Sequence, residues 1–376
     1  MERRRFYFLE PSKVASQHIT LIEGYLTALS SSPSIIGNFE LFLCASRSTL
    51  ASLPGALTSR FRFRPIPVMN PEKRRQTLKT LLELFVVLRW LGRLRQGDVL
   101  FISCIFPTTL WLLELANRLL RRTGVHVVLH GEVEGLFAKS QQRFQSIGYW
   151  AARWMRSRKP ESLIRLVVLD DFIRDKLIQE FAAKLNSGDV SVIHHPVLPM
   201  PAEVAGDGRS SAVCFVGYRT RFKGFDDFAR MASEHSSIEY LAIGGGKVEN
   251  ISAGTVEYLS DRSAYLAAIA RCSLAVFPCS SGYSSTLSAS ALDALSAGVP
   301  IVALDQPFFR HLASYLGSDM VTVRSSISEL KAHLGRSALS SKQDNRASRL
   351  ERLSTSKYGL GAVQRSFEKL AFNSGS

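Results

Sequence analysis

Paired cysteines, long apolar runs and acidic charge are all scarce in this chain of 376 residues. The five cysteines form no C-x-x-C pair, whereas zinc knuckles and disulfide frameworks need close or regular spacing. Most lie in or beside apolar runs, which favours buried thiols in a reducing cytoplasm, and we expect no metal site. The cysteines are Cys44, Cys104, Cys214, Cys272 and Cys279.

No apolar run reaches the roughly 18 to 20 residues that a membrane-spanning helix needs. The basic start of the chain, MERRRFYFLEPSK, has only four successive apolar residues, Phe6 to Leu9. That run is too short for a signal peptide and predicts a first strand. We expect a cytoplasmic protein that associates peripherally with the inner face of the cytoplasmic membrane.

Acidic residues are outnumbered, 32 against 47 basic ones, which gives a net charge of +15. Residues 1–198 hold 28 of the basic and 16 of the acidic residues, so their net charge is +12 and the remainder carries +3. A basic half suggests an anionic partner, either nucleic acid or an acidic membrane surface, although solvated charges also produce such an excess. The chain has no zinc-finger, helix-turn-helix or RNP-like motif, which argues against nucleic acid.

The length predicts two domains. Predicted strands and helices alternate along the chain, as in α/β proteins. Residues 197–211, VLPMPAEVAGDGRSS, have the composition of a linker. We predict an N-terminal domain over 1–198, a C-terminal domain over 205–356 and a last helix within 357–376. Residues 336–356, rich in Ser, Arg and Lys, are typical of a solvated connector.

Two local patterns each allow alternative structures. Pro65 and Pro67 restrict Phe61–Val68 to an edge strand or a loop. The pair Asp170 and Asp171 follows a predicted strand; it could serve as an acid/base couple, but the helix that follows favours an N-cap and a first turn.

The densest pattern lies in residues 274–305. An apolar run, Leu274–Phe277, predicts a buried strand, and a Ser-rich loop leads into a small-residue helix, Leu287–Ala297. Gly298 ends this helix, and Val299–Leu304 predicts the next strand. A helix N-terminus in such a parallel crossover unit offers unpaired N–H groups, at which anions bind.

Part of this region, DALSAGVPIVALD, resembles the EAxxxGxPVVA segment of the family 4 glycosyltransferases, a retaining group with the GT-B fold. That segment closes a Glu-x7-Glu motif that holds the donor nucleotide sugar. The resemblance implies that Asp293, at the second Glu, binds the ribose hydroxyls. Ser285 takes the place of the first Glu, and Ser284 and Thr286 lie beside it where the phosphate or sugar binds.

A second segment, FVGYRTRFKG at 215–224, resembles the family's FVGRLxxxKG signature, in which an Arg and a Lys grip the donor diphosphate. Lys223, Gly217 and Gly224 fall on family positions. Tyr218 occupies the arginine slot, so either Arg219 or Arg221 must reach the phosphates.

Two shorter matches complete the resemblance. The GGGK run at 244–247 is similar to the family's GdGp turn and makes Gly245 a donor-site candidate. The run VVLHGEVEG is similar to the family's strand-then-HG segment, which implies that His130 contacts the transferred sugar. We place Glu132 and His18 on the acceptor side.

Membership of this family would imply two doubly wound Rossmann-like domains facing across a cleft, with the last helix crossing back onto the first. The donor, a nucleotide-diphosphate sugar, would be a substrate of the C-terminal domain, and a saccharide acceptor would bind the N-terminal one. Hexosyl transfer would retain configuration and need neither metal nor cofactor. Because Ser285 and Tyr218 replace family charges, a non-catalytic GT-B scaffold in the same pathway is the alternative.

Two basic, aromatic helices are predicted in the N-terminal half. Residues 71–96 carry an apolar stripe with Trp90 between basic ends, and residues 143–160 interleave Trp150 and Trp154 with arginines. Either helix can be an ordinary core-facing one, or both can lie on anionic lipid. The second interpretation predicts a lipid-linked saccharide acceptor and a role in bacterial surface or exported polysaccharide synthesis.

Overall fold

The computed structural model describes residues 3–12, 18–69, 76–130, 132–137, 147–198, 200, 212–234, 238–245, 254–256, 262–279, 285–337 and 346–373. The chain forms two compact units. The N-terminal unit comprises Met1–Pro196 and Leu360–Ser376, and the C-terminal unit comprises Val197–Gly359. The two units therefore divide at the predicted linker and again just before the last helix.

The N-terminal unit is built on a seven-stranded parallel sheet of order β3-β2-β1-β4-β5-β6-β7. The strands are β1 Arg4–Leu9, β2 Phe39–Ala45, β3 Arg62–Pro65, β4 Val99–Ile102, β5 Val125–Val128, β6 Ile164–Val168 and β7 Val190–Val192. β3 lies at the edge of this sheet, which is one of the two alternatives that Pro65 and Pro67 predict. Proline has no backbone N–H to donate to a neighbouring strand, so it is accommodated in an edge strand.

Ten helices belong to this unit among the described residues. They are α1 Ile19–Ser30, α2 Pro33–Asn38, α3 Arg47–Ala51, α4 Gly55–Thr58, α5 Gln76–Leu91, α6 Pro107–Leu120, α7 Glu132–Phe137, α8 Ile147–Ser157, α9 Asp171–Glu180 and, from the end of the chain, α16 Leu360–Asn373. The sequence pattern misses α2, α3 and α4, which have four to six residues each and are too short to show helical periodicity.

The last helix, α16, packs on the N-terminal unit through an aromatic cluster. The ring of Phe367 lies 5.1 Å from those of Tyr25 and Phe101 and 6.3 Å from that of Phe6. All four side chains are fully buried. Tyr25 also donates from its hydroxyl to the carbonyl of Ile193 (2.9 Å), which satisfies its polar end inside the core.

A buried ion pair joins α8 to α6. Arg158 donates to Glu114 Oε2 (3.0 Å) and to the carbonyl of Ile164 (2.7 Å), and neither charged side chain is more than 2% exposed. Trp154, one turn earlier, is also fully buried. Trp154 and Arg158, both from the basic, aromatic run at 143–160, therefore belong to the core. Glu114 neutralises the guanidinium of Arg158 there.

The C-terminal unit is built on a six-stranded parallel sheet of order β10-β9-β8-β11-β12-β13. The strands are β8 Val213–Val216, β9 Tyr240–Ile243, β10 Gly254–Val256, β11 Leu274–Phe277, β12 Ile301–Leu304 and β13 Val321–Arg324. The helices are α10 Phe225–Glu234, α11 Arg262–Ala270, α12 Ala289–Ser296, α13 Pro307–Leu316, α14 Ile327–Ser337 and α15 Arg346–Thr355.

Helix α15 corrects the prediction of a solvated connector over 336–356. Its one fully buried residue is Leu353, and Arg352 donates to Asp319 (2.8 Å) and to the carbonyl of Leu316 (2.8 Å). Tertiary contacts hold this polar helix in place, and its own sequence has too few apolar residues to reveal them.

In each sheet the strand order reverses beside the first strand of the unit, between β1 and β4 and between β8 and β11. Ligands of doubly wound sheets bind outside the carboxyl ends of the strands at such a switch point. The predicted α/β, doubly wound class is confirmed for both units, and the two switch points are where the candidate site residues must be sought.

Candidate functional site

Two glycines at the carboxyl edge of the C-terminal sheet let backbone segments approach closely. Gly217 follows β8 with φ of 121°, and a Cβ there would stand 2.6 Å from Ser290 Oγ and 2.9 Å from Lys223 Nζ. Gly224 has φ of 74°, and a Cβ there would stand 1.7 Å from the carbonyl oxygen of Pro278. Both positions require glycine, since a side chain would collide and the backbone is left-handed.

The turn between these glycines positions Lys223. Residues Arg221–Lys223 form one 3-10 turn, and Thr220 caps it by accepting from the Lys223 backbone N–H (3.3 Å). The ammonium of Lys223 then donates to Ser290 Oγ on α12 (3.3 Å). A lysine with a hydroxyl partner keeps donors for an anion that arrives at this edge.

Burial sets the electrostatics around this lysine. Desolvation lowers the pKa of Lys223, while nearby Cys279 and Asp293 act in the opposite direction. Burial also raises the pKa of the Cys279 thiol to about 12, so that the thiol stays neutral near pH 7. A cation in such an environment gains from a bound anion, because charges interact more strongly where water is excluded.

Asp293 lies on α12 and is already held by two side chains of α11. Arg262 donates from Nη2 to Oδ1 (2.9 Å), and the hydroxyl of Tyr265 lies 3.5 Å from Oδ2. The carboxylate is thus fixed in position with its charge balanced. Sequence reasoning missed Arg262, because an arginine in the first turn of a distant helix carries no motif.

The candidate phosphate-binding arginines differ in their surroundings. Arg219 donates from Nη2 to the carbonyl of Ala242 (3.1 Å), and its backbone N–H donates to the carbonyl of Gly245 (2.8 Å). Arg221 is exposed on the turn that holds Lys223. Tyr218, which precedes this turn, is 62% exposed. Arg219 is therefore anchored on the sheet, and Arg221 has the greater freedom to meet a ligand.

The serine-rich loop enters its helix later than predicted. Helix α12 begins at Ala289, and Ser288 is its N-cap, accepting from the Ala291 N–H (3.3 Å). Ser285 is fully buried and Thr286 half-buried, and both precede the helix. Ser284 lies outside the described residues. The predicted start was wrong because several hydroxyl residues in this run can cap a helix, and Ser288 does so.

A second group of polar side chains lies at the carboxyl edge of the N-terminal sheet. His130, after β5, is hydrogen-bonded through Nε2 to the carbonyl of Ser103 (2.6 Å), and its ring lies 4.8 Å from that of His18. Ser103, after β4, donates from Oγ to Glu10 Oε2 (2.7 Å). Glu132 begins α7, and its side chain lies outside the described part of the chain.

Glu83 on α5 joins the same polar network through Ser12, whose backbone N–H donates to Glu10 Oε1 (3.1 Å). It accepts from the backbone N–H of Phe106 (2.8 Å) and from the hydroxyl of Ser12. Burial raises the pKa of Glu83, and its hydrogen bonds oppose that shift. The sequence pattern did not select Glu83, because a single acidic residue in a long helix has the same appearance whether it is buried or solvated.

The pair Asp170 and Asp171 begins α9. Asp170 occupies the N-cap position without a side-chain cap hydrogen bond, and Asp171 lies in the first turn. Asp171 is paired with Arg174 (3.3 Å) and with His194 Nε2 (3.1 Å). Both predicted positions, the N-cap for Asp170 and the first turn for Asp171, are confirmed.

Helix α5 is apolar on two faces. Val86, Val87, Trp90 and Leu91 are buried in the core, while another face exposes Leu78, Leu81 and Phe85, the last of them 61% exposed. Exposed arginines follow at 89, 93 and 95. Lys79, in contrast, is buried with its ammonium 4.5 Å from the ring centre of Phe106. Residues 71–75 lie outside the described part of the chain.

Among the described residues, no helix is both long and apolar enough to span a bilayer.

Comparison with solved structures identifies the fold as GT-B. Anabaena HepE in complex with UDP-glucose superposes with a TM-score of 0.63 at 11% identity, covering 99% of this chain and 100% of its own. Sucrose-phosphate synthase from Thermosynechococcus elongatus gives 0.63 at 13% identity, covering 99% and 98%. WaaG, a glycosyltransferase involved in lipopolysaccharide biosynthesis, gives 0.62 at 13% identity, covering 98% and 99%.

At these identities the likeness defines a fold and no more. No protein-family model matches the chain, and no curated protein matches it. Within the fold, the C-terminal unit brings together Gly217, Lys223, Gly224 and Asp293, and the N-terminal unit brings together His18 and His130. Ser290 and Ser103, which organise the two groups, were not predicted.

Proposed function

We propose that the chain is a glycosyltransferase that takes a sugar from a nucleotide-diphosphate donor. The observation that carries the proposal is the Lys223 ammonium, held between two obligatory glycines at the switch point of the C-terminal sheet. HepE, which shares the fold, was crystallised with UDP-glucose, with UDP and glucose, and with UDP. Those ligands support a nucleotide-sugar donor here.

The proposed chemistry follows from the charge that develops on the leaving group. The bond between the anomeric carbon and the diphosphate oxygen breaks, and negative charge grows on the phosphate. Lys223 and Arg221 stabilise that charge, so the step needs no divalent metal and no cofactor. The acceptor oxygen attacks the oxocarbenium-like carbon from the side that the phosphate leaves and passes its proton to that phosphate. Configuration is therefore retained.

A nucleotide screen tests the donor site. Ligands that bind the native state alone raise the melting temperature by mass action. We expect one of UDP, GDP, ADP and CMP, or its sugar, to raise the melting temperature of the wild type. Lys223→Ala and Asp293→Ala should abolish that rise. Lys369→Ala removes an exposed lysine on α16 and should leave it intact. A rise of equal size in Lys223→Ala would contradict the assignment.

We further propose that the acceptor is a lipid-linked saccharide at the inner face of the cytoplasmic membrane, in bacterial surface or exported polysaccharide synthesis. Leu78, Leu81 and Phe85 form an exposed apolar stripe on α5, and exposed arginines at 89, 93 and 95 follow it. An apolar stripe beside basic residues suits the boundary of an anionic bilayer.

Vesicle flotation tests the membrane proposal. The wild type should float with vesicles that contain an anionic lipid and stay behind with purely zwitterionic ones. A Leu81→Glu, Phe85→Glu variant should lose flotation. Tyr315→Glu, at an exposed aromatic residue of the C-terminal unit, is the matched control and should float normally. Unchanged flotation of the α5 variant would reject this surface.

Two observations favour the alternative of a non-catalytic scaffold. Asp293 is already paired with Arg262, and buried Ser285 stands where the resembling family has an acid. A scaffold would bind nucleotide and release no nucleoside diphosphate from a nucleotide sugar, with or without acceptor. Product formation, with the anomeric configuration read by NMR, would exclude it.

A further inference from the structure

Three potential metal ligands converge at the carboxyl edge of the N-terminal sheet. His18, Cys104 and His130 each offer one ligand atom, and these atoms all lie within 4.8 Å of one another. The three residues follow β1, β4 and β5, which are neighbours in the sheet, so the fold itself brings them together. Neighbouring ligand atoms around a tetrahedral zinc ion are roughly 3.4 to 3.7 Å apart. Small side-chain rotations therefore suffice to close the group around an ion.

The second ligand shell is already in place around His130. Its Nε2 is bonded to the Ser103 carbonyl (2.6 Å), which can accept only, so Nε2 carries the proton and the lone pair is on Nδ1. Ser103 is in turn fixed by Glu10 through its hydroxyl (2.7 Å). Metal-binding histidines are oriented in this way, by donation of the other ring N–H to a carbonyl or carboxylate.

The backbone of His18 is in an uncommon conformation. Its φ of 58° is left-handed, and among described residues other than glycine only Arg121 shares a positive φ. Such a conformation is unfavourable for a residue that has a Cβ, and it persists where the surroundings hold the side chain in place. Here it brings the His18 ring to 4.8 Å from the His130 ring.

We propose that His18, Cys104 and His130 bind a zinc ion, with water at the fourth position. A thiolate and two imidazoles are a donor set that suits Zn²⁺ better than the hard cations Mg²⁺ and Ca²⁺. The group Asp170, Asp171 and His194 has similar spacing but is a poorer candidate, because Asp171 is already paired with Arg174. The proposed site departs from the sequence-based expectation of a metal-free protein, which considered the cysteines singly.

Metal titration of the metal-free full-length chain tests the site. We expect one Zn²⁺ per chain in competition with a chromophoric chelator. Co²⁺ in its place should give a thiolate-to-metal charge-transfer band in the near ultraviolet. Cys104→Ser should remove that band and weaken Zn²⁺ binding at least about a hundredfold, since loss of an outer-shell partner alone costs 10- to 100-fold. His18→Asn, which tolerates the left-handed backbone, should weaken it similarly.

Two matched variants control for indirect effects. Cys44→Ser removes another buried thiol of the same unit, and Asp171→Asn disables the rival group; both should bind Zn²⁺ as the wild type does. Circular dichroism checks that each metal-free variant is folded, and if Cys104→Ser is not, His18→Asn decides. Absence of stoichiometric Zn²⁺ binding, or binding that survives Cys104→Ser and His18→Asn, would overturn the proposal.

Discussion

The carboxyl edges of the two sheets carry different chemistry on the same topology. At the C-terminal edge, two left-handed glycines clear space around one lysine, and the helix above offers small hydroxyl side chains. At the N-terminal edge, His130 and Glu10 are linked by hydrogen bonds through Ser103, and the His18 ring and the Cys104 thiol lie beside His130. The lysine and hydroxyl groups of the first edge suit the binding of an anion. The imidazoles and thiol of the second edge suit the binding of a metal ion or the transfer of a proton.

The interiors of the two units differ as well. The N-terminal unit buries the ion pair of Arg158 with Glu114 and the side chain of His126, whereas aromatic clusters and close backbone contacts at glycine occur in both units. All four tryptophans, Trp90, Trp111, Trp150 and Trp154, lie in the N-terminal unit. Tryptophan fluorescence therefore reports that unit, while circular dichroism reports both.

The largest effect is expected at the buried ion pair. Arg158→Ala leaves Glu114 buried without its partner, which should lower the free energy of unfolding by about 3 to 5 kcal/mol. Urea unfolding followed by tryptophan fluorescence measures the loss. Arg156→Ala, at an exposed position two residues earlier on α8, should change stability by less than about 0.5 kcal/mol. Equal effects of the two variants would contradict a structural role for the pair.

A somewhat smaller loss is expected in the C-terminal unit. In Gly224→Ala the new Cβ meets the Pro278 carbonyl on a left-handed backbone, which should cost about 2 to 4 kcal/mol. The transition seen by circular dichroism should fall while the fluorescence transition stays in place. Gly37→Ala has no atom within 4 Å of the new Cβ and should be close to neutral. An unchanged circular-dichroism transition in Gly224→Ala would contradict the close contact between Gly224 and the Pro278 carbonyl.

His126 makes the N-terminal unit sensitive to acid. Burial lowers the pKa of this histidine, on β5, to about 3, so the unfolded chain binds a proton below its own pKa of about 6.5 and the native unit does not. Stability should fall by about 1.4 kcal/mol per pH unit as the pH drops from 6.5 towards 3. In His126→Leu the fluorescence-detected stability should fall less steeply over that window. Parallel pH profiles would refute this assignment.

The smallest effect separates stability from function in the C-terminal unit. Lys223→Met keeps the apolar stem and removes a partly desolvated charge, whose burial lowers its pKa. The ligand-free variant should be as stable as the wild type or about 0.5 to 1 kcal/mol more stable. Its nucleotide affinity should be at least about tenfold weaker by calorimetry. A destabilised variant with normal affinity would make Lys223 a structural residue.

What the sequence could reveal depended on how far apart the cooperating residues lie. Lys223, Gly217 and Gly224 belong to one ten-residue segment, so the resemblance of that segment to a single family signature selects all three as candidates. The central strands were also predictable, because they are short buried runs between turn residues. For β3, Pro65 and Pro67 left an edge strand and a loop as alternatives, and the structure has the edge strand.

The remaining features depend on contacts between distant segments. The Arg262–Asp293 pair and the group of His18, Cys104 and His130 are brought together only by the sheet order. The sequence leaves open whether the run that holds Arg158 faces the core or anionic lipid, because nothing near Arg158 shows that Glu114 neutralises it in the core. A periodic pattern predicts which face of a helix is buried, but not which partner lies opposite.

Hydrogen exchange of the full chain, with and without each of UDP, GDP, ADP and CMP, tests the central claim most directly. One nucleotide should slow amide exchange in residues 217–224 and 285–293, the two segments joined by the contact between Lys223 and Ser290. Lys223→Ala should remove that protection. Protection confined to the N-terminal unit, or none with any of the four nucleotides, would contradict a donor site on the C-terminal unit.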